Sequence, residues 1–528
     1  MSVPAPRPRP DRTAPDSSDL GGFGYRQQLR RNVGPFASFA AGFSFVSILT
    51  TVFQLFGLGF GFGGAGFFWT WPTVFAGQLL VALCFAELAA RYPISGAVFQ
   101  WSSRLAGTDV GWFTGWIMVV GQVLTVATAA IALQAVLPAI WSGFQVVGGP
   151  GAESSPLTAT GAQNAVVLGL LLLVVTTVVN AIGVRLMAVI TSAGVVVEII
   201  GVVALVVALI SHAERSPGVV MTSTGAGEGN YLGLWLASSL MAAYVMVGFD
   251  SAGELSEETR APRATTPRTI LRALVLSGVG GALLLVGGVI AAPSLTDGSL
   301  ASGGLAGVLT ARLGDVGGRL LLACVAVAVV VCTLAVQTSG SRMVYSMARE
   351  RAFPFASLFG RVSTRTGTPI GAAVLVGVGA AIALAVNWDQ SAVFTALTSL
   401  CIALLYLAYL GVTLPLLVRR LRGELPSGTD EFGRPLFSLG RWGVPVNVLA
   451  VVYQTVMVVN LAWPRASVYD LTGGTWWLQW SALLFIAATV LVGVAVHRRN
   501  RARHGGPIVL GRLQVSEPVA SDRVEEPA

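Results

Sequence analysis

The chain has 528 residues, of which 54% are hydrophobic and only 11% are charged, and its mean hydropathy is +0.74. A soluble globular chain carries about 25% charged residues, so this composition excludes a soluble protein and indicates a membrane protein. All 33 basic residues are arginine, which gives a formal net charge of +8 and excludes a Gly-Lys-Ser/Thr phosphate loop or a lysine Schiff base in this chain.

Histidines and cysteines give no sign of metal or disulfide chemistry. The histidines fall in a loop or the tail, at His212, His497 and His504. The cysteines lie in apolar stretches typical of packed side chains, at Cys84, Cys324, Cys332 and Cys401. We therefore predict no catalytic residue, no metal and no cofactor, and we do not expect an enzyme.

Residues 1–30 are rich in Pro, Arg, Asp and Ser and lack a long apolar run. Such a composition predicts a disordered N-terminal tail. A secretory signal would place a short apolar core here, whereas the first apolar segment begins near Pro35 and is long enough to span a bilayer. We expect the protein to keep its N-terminus.

Twelve apolar stretches approach the ~20 residues needed to cross the hydrocarbon core. They are 36–60, 67–90, 112–139, 163–182, 184–211, 232–258, 270–292, 318–347, 369–387, 391–417, 444–463 and 475–496. The predicted fold class is an all-α membrane protein with twelve transmembrane helices and both termini on one side.

The arginines predict the orientation, because cytoplasmic loops retain basic residues. With the N-terminus inside, 24 of the 33 arginines are cytoplasmic, five lie in the distal tails and four are external, at Arg215, Arg312, Arg319 and Arg465. We therefore expect a multi-pass plasma membrane protein with both termini in the cytoplasm. Orientation alone explains the basic loops, so we expect the lipid bilayer and no nucleic acid as partner.

Two predicted spans are interrupted near mid-membrane. The first carries Gly42, Ser44 and Ser47 inside an apolar run, and the sixth meets Gly248-Phe249-Asp250-Ser251 after a long apolar stretch. These two spans lie five apart and run in opposite directions, which is the arrangement of an inverted-repeat transporter. The division would be 31–211 for the first repeat, 231–418 for the second, 444–496 for two additional helices and 497–528 for a cytoplasmic tail.

A broken helix leaves backbone groups available to a ligand. The N-terminus of a half-helix suits a carboxylate, and unwound carbonyls suit an ammonium or another cation. The residues alone therefore predict binding of a small polar or charged solute.

Four stretches resemble the amino acid permease family of the amino acid/polyamine/organocation transporters, above all its branch of amino acid, GABA and choline permeases. They are FAELAARYPISGAVFQW (85–101), GWFTGW (111–116), GFDSAGELSEETRAPR (248–263) and SRMVYSMARERAFP (341–354). The similarity covers roughly residues 30–500. It implies a five-plus-five core with broken helices 1 and 6, two further helices, and a substrate held between the breaks.

Carried over by position, the resemblance places a carboxylate on the N–H groups of residues 44–49 and an amine on the carbonyls of residues 247–249. The individual candidates are Ser44, Val46, Ser47, Ile48 and Leu49 in helix 1, and Val247, Gly248 and Phe249 in helix 6. Phe249 also resembles an aromatic gate over the substrate. The alternative is an ordinary packed ring.

Several charged residues near the breaks have two interpretations each. Asp250 is either an amine counter-ion or proton carrier, or the N-cap of the second half of helix 6. Glu87 and Arg91, four residues apart, predict an orienting pair near the cytoplasmic end of helix 2. Cytoplasmic helix ends carry Glu257, Glu258, Arg260 and Arg342, which are either an inner gate of ion pairs or a solvated face.

Glu198 lies in the apolar run VVVEIIGVV of helix 5, where an unpaired carboxylate is costly. It is our candidate for proton coupling, with a buried structural role as the alternative. Some proton-coupled relatives have a lysine on helix 5, and this chain has none. Helix 8 offers hydroxyls at Thr338 and Ser339 as possible sodium ligands, and Gln122 in helix 3 is a polar cavity-lining candidate; ordinary hydrogen bonds within and between helices are the alternatives.

The predicted function is a secondary active permease that moves an amino acid or related amine by alternating access, coupled to protons or to exchange. A substrate-sensing receptor or channel on the same scaffold, or a sodium-coupled choline or GABA transporter, is the alternative. The sequence leaves open both a monomer and a homodimer.

Overall fold

The computed structural model describes residues 18–25, 27–155, 158–388, 393–425, 428–429, 435–469, 475–504 and 508–510. Within these residues the chain is all-helical, and the only β contacts are three isolated bridges. The predicted tail from residue 511 and residues 1–17 lie outside the described residues.

Twenty α-helices are numbered here in chain order. They are α1 (Ser18–Gly21), α2 (Pro35–Val46), α3 (Ile48–Gly63), α4 (Thr70–Arg91), α5 (Ala97–Ala106), α6 (Thr108–Ile131), α7 (Leu137–Ile140), α8 (Ala159–Ile182), α9 (Val184–Ser211), α10 (Tyr231–Val245), α11 (Ser251–Glu254), α12 (Pro262–Ala291), α13 (Ser299–Arg349), α14 (Ala356–Phe359), α15 (Ile370–Ala385), α16 (Val393–Leu421), α17 (Gly443–Ala462), α18 (Ala466–Tyr469), α19 (Trp476–Gln479) and α20 (Ser481–His504).

Ten helical stretches of the described chain are long and apolar enough to cross a membrane. The first, Pro35–Arg91, is 57 residues long and includes α2, α3 and α4. The helix α10 is also apolar but has only 15 residues. The prediction of an all-α, multi-pass membrane protein is confirmed at this level.

The helix α13 runs for 51 residues but turns sharply at Gly304 (φ 53°) and Gly314 (φ 63°). Glycine tolerates this left-handed backbone because it has no Cβ. The sequence predicted only 318–347 here. The preceding segment was missed because its glycines and serines interrupt the apolar run that the prediction used.

The broken helices lie at the centre of the bundle. The helix α3 packs against α10 and α13, and α2 packs against α9 and α12. Large apolar side chains on outer helices are exposed, as on Leu171, Val203, Val456 and Leu491. Exposed apolar faces on long apolar helices suit contact with lipid chains.

Both ends of the described chain lie at the same end of the bundle, called here the terminal end. Tyr345 at the end of α13 donates to Gln28, and Asn500 of α20 donates to the Arg351 carbonyl at 2.6 Å. The opposite end holds the end of α3, where the Ala65 N–H donates to Thr224.

The N-terminal segment corrects one prediction. A disordered tail was expected through residue 30, but Leu20, Tyr25 and Leu29 are each at most 4% exposed. These side chains bury against the terminal end of the bundle although the segment around them is polar. Their spacing forms no apolar run, which is why composition alone did not reveal them.

Candidate functional site

The first helix interruption is a single residue, Ser47, between α2 and α3. Its backbone is left-handed (φ 32°, ψ 84°), which is unusual for a residue with a side chain. The Ser47 N–H still donates to the Phe43 carbonyl, and the Ser47 carbonyl accepts from Thr51. Of the predicted interrupting residues, only Ser47 lies in the break, since Gly42 and Ser44 remain inside α2.

Glu198 of α9 binds this interruption from the side. Its Oε1 accepts from the Ser47 hydroxyl at 2.9 Å and from the Leu49 N–H at 3.3 Å. Both contacts lie at the N-terminus of α3, where the helix dipole favours negative charge. Glu198 is 1% exposed, and its Oε2 has no hydrogen-bond partner in the described part of the chain.

The second interruption separates α10 from α11 at residues 246–250. Gly248 has φ +93°, a backbone that favours glycine. Its N–H donates to the Tyr409 hydroxyl at 2.9 Å, and that hydroxyl donates to Asp250 Oδ1. The Tyr409 hydroxyl of α16 therefore accepts the Gly248 N–H in place of a helix carbonyl. The same hydroxyl also holds the Asp250 carboxylate in position.

The structure overturns the N-cap interpretation of Asp250. The residue precedes α11, but its side chain makes no capping hydrogen bond to that helix. Its carboxylate turns to Tyr409 instead, and its Oδ2 is buried without a partner among the described residues. A buried carboxylate with a free oxygen is available to a cationic group.

The two interruptions contact each other directly. The Phe45 ring covers Gly248 so closely that a Cβ on Gly248 would lie 1.7 Å from Cδ1 of Phe45. The Phe45 carbonyl accepts a long contact, 3.6 Å, from the Cys332 thiol of α13. Ile48, Leu49, Val247 and Phe249, all predicted site residues, are buried around this contact.

Phe249 packs inside a cluster of rings in this conformation. Its ring centroid lies 5.8 Å from that of Phe85 and 5.5 Å from that of Tyr409, and the residue is fully buried. The ring thus covers the α10–α11 interruption on the side of α4 and α16.

The other polar candidates bond to neighbouring helices. The Gln122 amide donates to Ser339 Oγ at 3.0 Å, and the Thr338 hydroxyl oxygen lies 2.7 Å from both Asn180 Oδ1 and the Leu334 carbonyl oxygen, either of which accepts its proton. Thr338 lies six residues beyond Cys332, about 9 Å along the helix axis. The structure therefore brings Cys332, and not Thr338 or Ser339, to the Ser47 interruption.

Two buried ion pairs close the terminal end. Glu257 contacts Arg349 with both oxygens, at 2.9 and 3.0 Å, and Glu258 lies 3.1 Å from Arg342. Both glutamates are fully buried, so the solvated-face interpretation is wrong for them. The prediction missed Arg349 because the orientation of the protein in the membrane already accounted for an arginine at a cytoplasmic helix end.

The N-terminal segment covers these ion pairs. The Tyr25 ring lies 4.4 Å below the Arg349 guanidinium, and Gln27 donates to the Glu257 carbonyl at 2.8 Å. Burial raises the pKa of the Tyr25 hydroxyl, so it stays protonated and donates to Gln100. Val33 forms a bridge with Thr259 directly after the glutamates.

Glu87 and Arg91 form the predicted pair, with Arg91 Nη1 2.7 Å from Glu87 Oε1. Glu87 also contacts Arg420 of α16 and accepts from Ser438 at 3.1 Å. The carboxylate therefore joins α4 to α16 and to the segment before α17.

A cavity of about 520 Å³ lies at the opposite end, lined by Phe53, Gln54 and Gly57 of α3 and by Gln134, Ala301 and Thr310 among others. The first lining residue on α3, Phe53, lies six residues beyond the Ser47 interruption, about 9 Å along the helix axis. The described residues contain no group of three or more His, Cys, Asp or Glu side chains placed to hold a metal ion.

The family model named Amino acid permease matches residues 33–490, most of the chain. The chain belongs to the amino acid permease family. The resemblance found in the four motifs is confirmed, and this permease is a membrane transport protein and not an enzyme.

Curated relatives of the permease match over most of their length. Amino-acid permease BAT1 of Arabidopsis thaliana is 28% identical over 476 residues, covering 86% of this chain and 89% of the relative. A homolog of BAT1 in Oryza sativa is 27% identical, covering 84% and 86%. Amino-acid permease 2 of Neurospora crassa is 25% identical, covering 86% and 83%.

Proposed function

We propose that this permease is a secondary active transporter that moves an amino acid or a related amine across the plasma membrane by alternating access. The observation that carries the proposal is the direct contact of two helix interruptions at Phe45 and Gly248, with a carboxylate beside each. The names of the relatives in Arabidopsis, rice and Neurospora support an amino acid as substrate.

Twelve crossings fit the helices if α2–α3 forms one crossing and α10–α11 another. The remaining ten are α4, α6, α8, α9, α12, the last part of α13, α15, α16, α17 and α20. The terminal end then faces the cytoplasm, since 24 of the arginines fall in the loops on that side.

Repeated packing relations support a five-plus-five inverted repeat. The helix α6 packs against α16, and α13 packs against α9, so the third crossing of each half contacts the fifth of the other. In the same way, α6 packs against α15 and α13 against α8. A two-fold relation between halves produces such matched pairs.

The proposed substrate site lies between the two interruptions. N–H groups at the start of α3 would bind the substrate carboxylate, while the carbonyls of residues 247–249 and the free oxygen of Asp250 would bind its amine. The Phe45 ring occupies this space in the present conformation, so substrate entry requires that ring to move. Gln122 stays in the proposal as a lining residue on α6.

Alternating access is supported by the asymmetry of the two ends. The ion pairs of Glu257 and Glu258 and the N-terminal segment close the terminal end, while the 520 Å³ cavity lies at the other. We assign this conformation as closed to the cytoplasm, with the Phe45 ring covering the proposed site from the side of the cavity. Opening inward would require both ion pairs to separate.

Glu198 supplies a proposed coupling mechanism. In the ionised form it accepts from the Leu49 N–H, a group that the substrate carboxylate would use. Two carboxylates cannot both occupy the N-terminus of α3 without repulsion, whereas a protonated Glu198 competes weakly for the N–H. Substrate and proton would therefore bind together, which favours protons over sodium as the coupling ion.

Uptake of labelled amino acids into proteoliposomes, with and without an inward proton gradient, tests this function. We expect accumulation driven by the gradient in the wild type. Glu198→Gln, which mimics the protonated side chain, should still bind and exchange substrate but lose gradient-driven accumulation. Saturable binding without accumulation by the wild type would instead indicate a sensor.

Glu214→Gln is the matched control, because Glu214 is a half-exposed carboxylate that pairs with Arg312 outside the proposed site. It should accumulate substrate as the wild type does. Gradient-driven accumulation that persists in Glu198→Gln would exclude Glu198 as the coupling group, and a dependence on sodium alone would exclude proton coupling.

A further inference from the structure

A basic cavity lies at the terminal end, outside the proposed transport site. Its volume is about 570 Å³, and its lining includes Arg349, Arg351, Phe355, Arg361 and Arg503. The cavity joins the end of α13, the segment around α14 and the last turn of α20. No carboxylate lines it among the described residues.

Three of its arginines have no acidic partner among the residues that the structure describes. Arg351, Arg361 and Arg503 are exposed, and none forms an ion pair with a described residue. Arg349 differs, because its charge is balanced by Glu257. The cavity therefore concentrates positive charge, which attracts a phosphate group.

Arg351 occupies a backbone position that favours glycine. Its φ is +57°, its N–H donates to the Ala348 carbonyl, and the next N–H, of Ala352, donates to Met347. This pair of bonds is the Schellman ending of a helix, in which glycine is the usual residue at the left-handed position. Orientation in the membrane explains positive charge at this end but does not require an arginine at a left-handed position.

Apolar side chains beside the cavity point to a lipid. Phe355 is 69% exposed and also adopts a left-handed backbone, with φ 54°, and Leu358 of α14 is 56% exposed. A soluble phosphate gains nothing from exposed apolar surface, whereas an acyl chain packs against it. Arginines and exposed apolar residues together fit a phospholipid at a membrane surface.

We propose that this cavity binds the phosphate headgroup of an anionic phospholipid in the cytoplasmic leaflet, held by Arg351, Arg361 and Arg503. The headgroup would bind beside Arg349 and thus next to the ion pair with Glu257. The site does not depend on which solute the permease moves or on the role of Glu198.

The test uses the full chain in phosphatidylcholine nanodiscs, with and without phosphatidylglycerol. Native mass spectrometry measures the phosphatidylglycerol retained, and thermal unfolding measures the stabilisation that it gives. Arg351→Gly and Arg503→Gln should each weaken phosphatidylglycerol retention about fivefold, the contribution of one basic residue near an anionic surface. In phosphatidylcholine alone, Arg351→Gly should unfold at or above the wild-type temperature, because glycine suits that backbone.

Arg185→Gln is the matched control, since Arg185 is exposed at the start of α9 and lies outside the cavity. It should retain phosphatidylglycerol like the wild type. Equal losses in Arg185→Gln and Arg351→Gly would overturn the site in favour of a diffuse surface charge, as would full retention in both cavity variants. Stabilisation by inorganic phosphate equal to that by phosphatidylglycerol would overturn the assignment to a lipid.

Discussion

Ser47 shows how one residue interrupts a membrane helix without glycine or proline. A side chain in the left-handed region costs roughly 1–2 kcal/mol, and such strain concentrates at functional positions. The Ser47 hydroxyl offsets part of this cost, because it donates to Glu198 and lies 2.8 Å from the Thr50 hydroxyl. Glycine would fit the backbone better but would lose the bond to Glu198.

Gly248 is the position in the second interruption that tolerates a side chain least. We expect Gly248→Ala to destabilise the permease by several kcal/mol, from a left-handed alanine and from overpacking against Phe45. Thermal unfolding in detergent and substrate uptake measure the effect. Gly233→Ala in α10 is the control: no described residue outside the helix's own backbone lies within 4 Å of its added Cβ, so stability should hold or rise slightly. Equal behaviour of the two variants would contradict this account of the break.

At the scale of elements, the terminal end depends on buried ion pairs that join α13 to the segment after α11. Breaking a buried pair leaves an uncompensated charge and costs about 3–5 kcal/mol, whereas an exposed pair contributes about 0–1 kcal/mol. The chain contains both kinds, since Arg319 and Asp315 form a pair whose side chains are 53% and 84% exposed.

We therefore expect Arg349→Gln to lower the unfolding temperature strongly and Arg319→Gln to leave it nearly unchanged. The double variant Arg349→Gln with Glu257→Gln should recover part of the loss, because Glu257 no longer leaves an unpaired charge. The recovery is only partial, because Glu350, 3.7 Å from Arg349 Nε, still loses that contact. Differential scanning fluorimetry on the purified permease measures the wild type, the single variants Arg349→Gln, Glu257→Gln and Arg319→Gln, and the double variant. A double variant as unstable as the sum of its single changes would show that the pair itself does not carry the effect.

The elements divide clearly into those that the sequence predicts and those that it does not. Apolar run length predicts the long helices, and the polar interruptions near Ser47 and Gly248 predict where two of them break. Glu198 was also identifiable, since a carboxylate within VVVEIIGVV is costly unless it has a partner or a function. Its actual partners, Ser47 and Leu49, lie about 150 positions away in the chain and leave no local signal.

Tyr409 and Arg349 mark the limit of sequence reasoning. Tyr409 lies in LLYLAYLGV, a run that predicts an ordinary membrane helix, yet its hydroxyl completes the second interruption. Arg349 fits the positive-inside pattern, which hides its ion pair with Glu257. Each of these residues fits a local sequence pattern and also makes a contact with a residue far away in the chain. Only the three-dimensional structure reveals that contact.

For the whole molecule, the arginine distribution predicts a cytoplasmic terminal end, and cysteine labelling tests it. None of the four native cysteines is exposed: Cys324 is partly buried and the others are buried. Introduced cysteines at exposed positions should therefore dominate the signal. Ser223 lies at the opposite end, and Thr364 lies at the terminal end, where its carbonyl accepts from Arg30.

We expect Ser223→Cys to react with a membrane-impermeant maleimide on intact cells and Thr364→Cys to react only after permeabilisation. The unmodified permease provides the background. Reversed labelling would place the terminal end outside the cell and the 520 Å³ cavity on the cytoplasmic side.

The carboxylate at the start of α3 also determines which half of the proposed cycle responds to voltage. Binding of a zwitterionic substrate together with a proton on Glu198 makes the loaded carrier one charge less negative than the unloaded carrier, which returns with Glu198 ionised. One negative charge then moves outward on each return, so an inside-negative membrane potential accelerates the unloaded carrier. Depolarisation would slow net uptake and leave one-for-one exchange of substrate almost untouched.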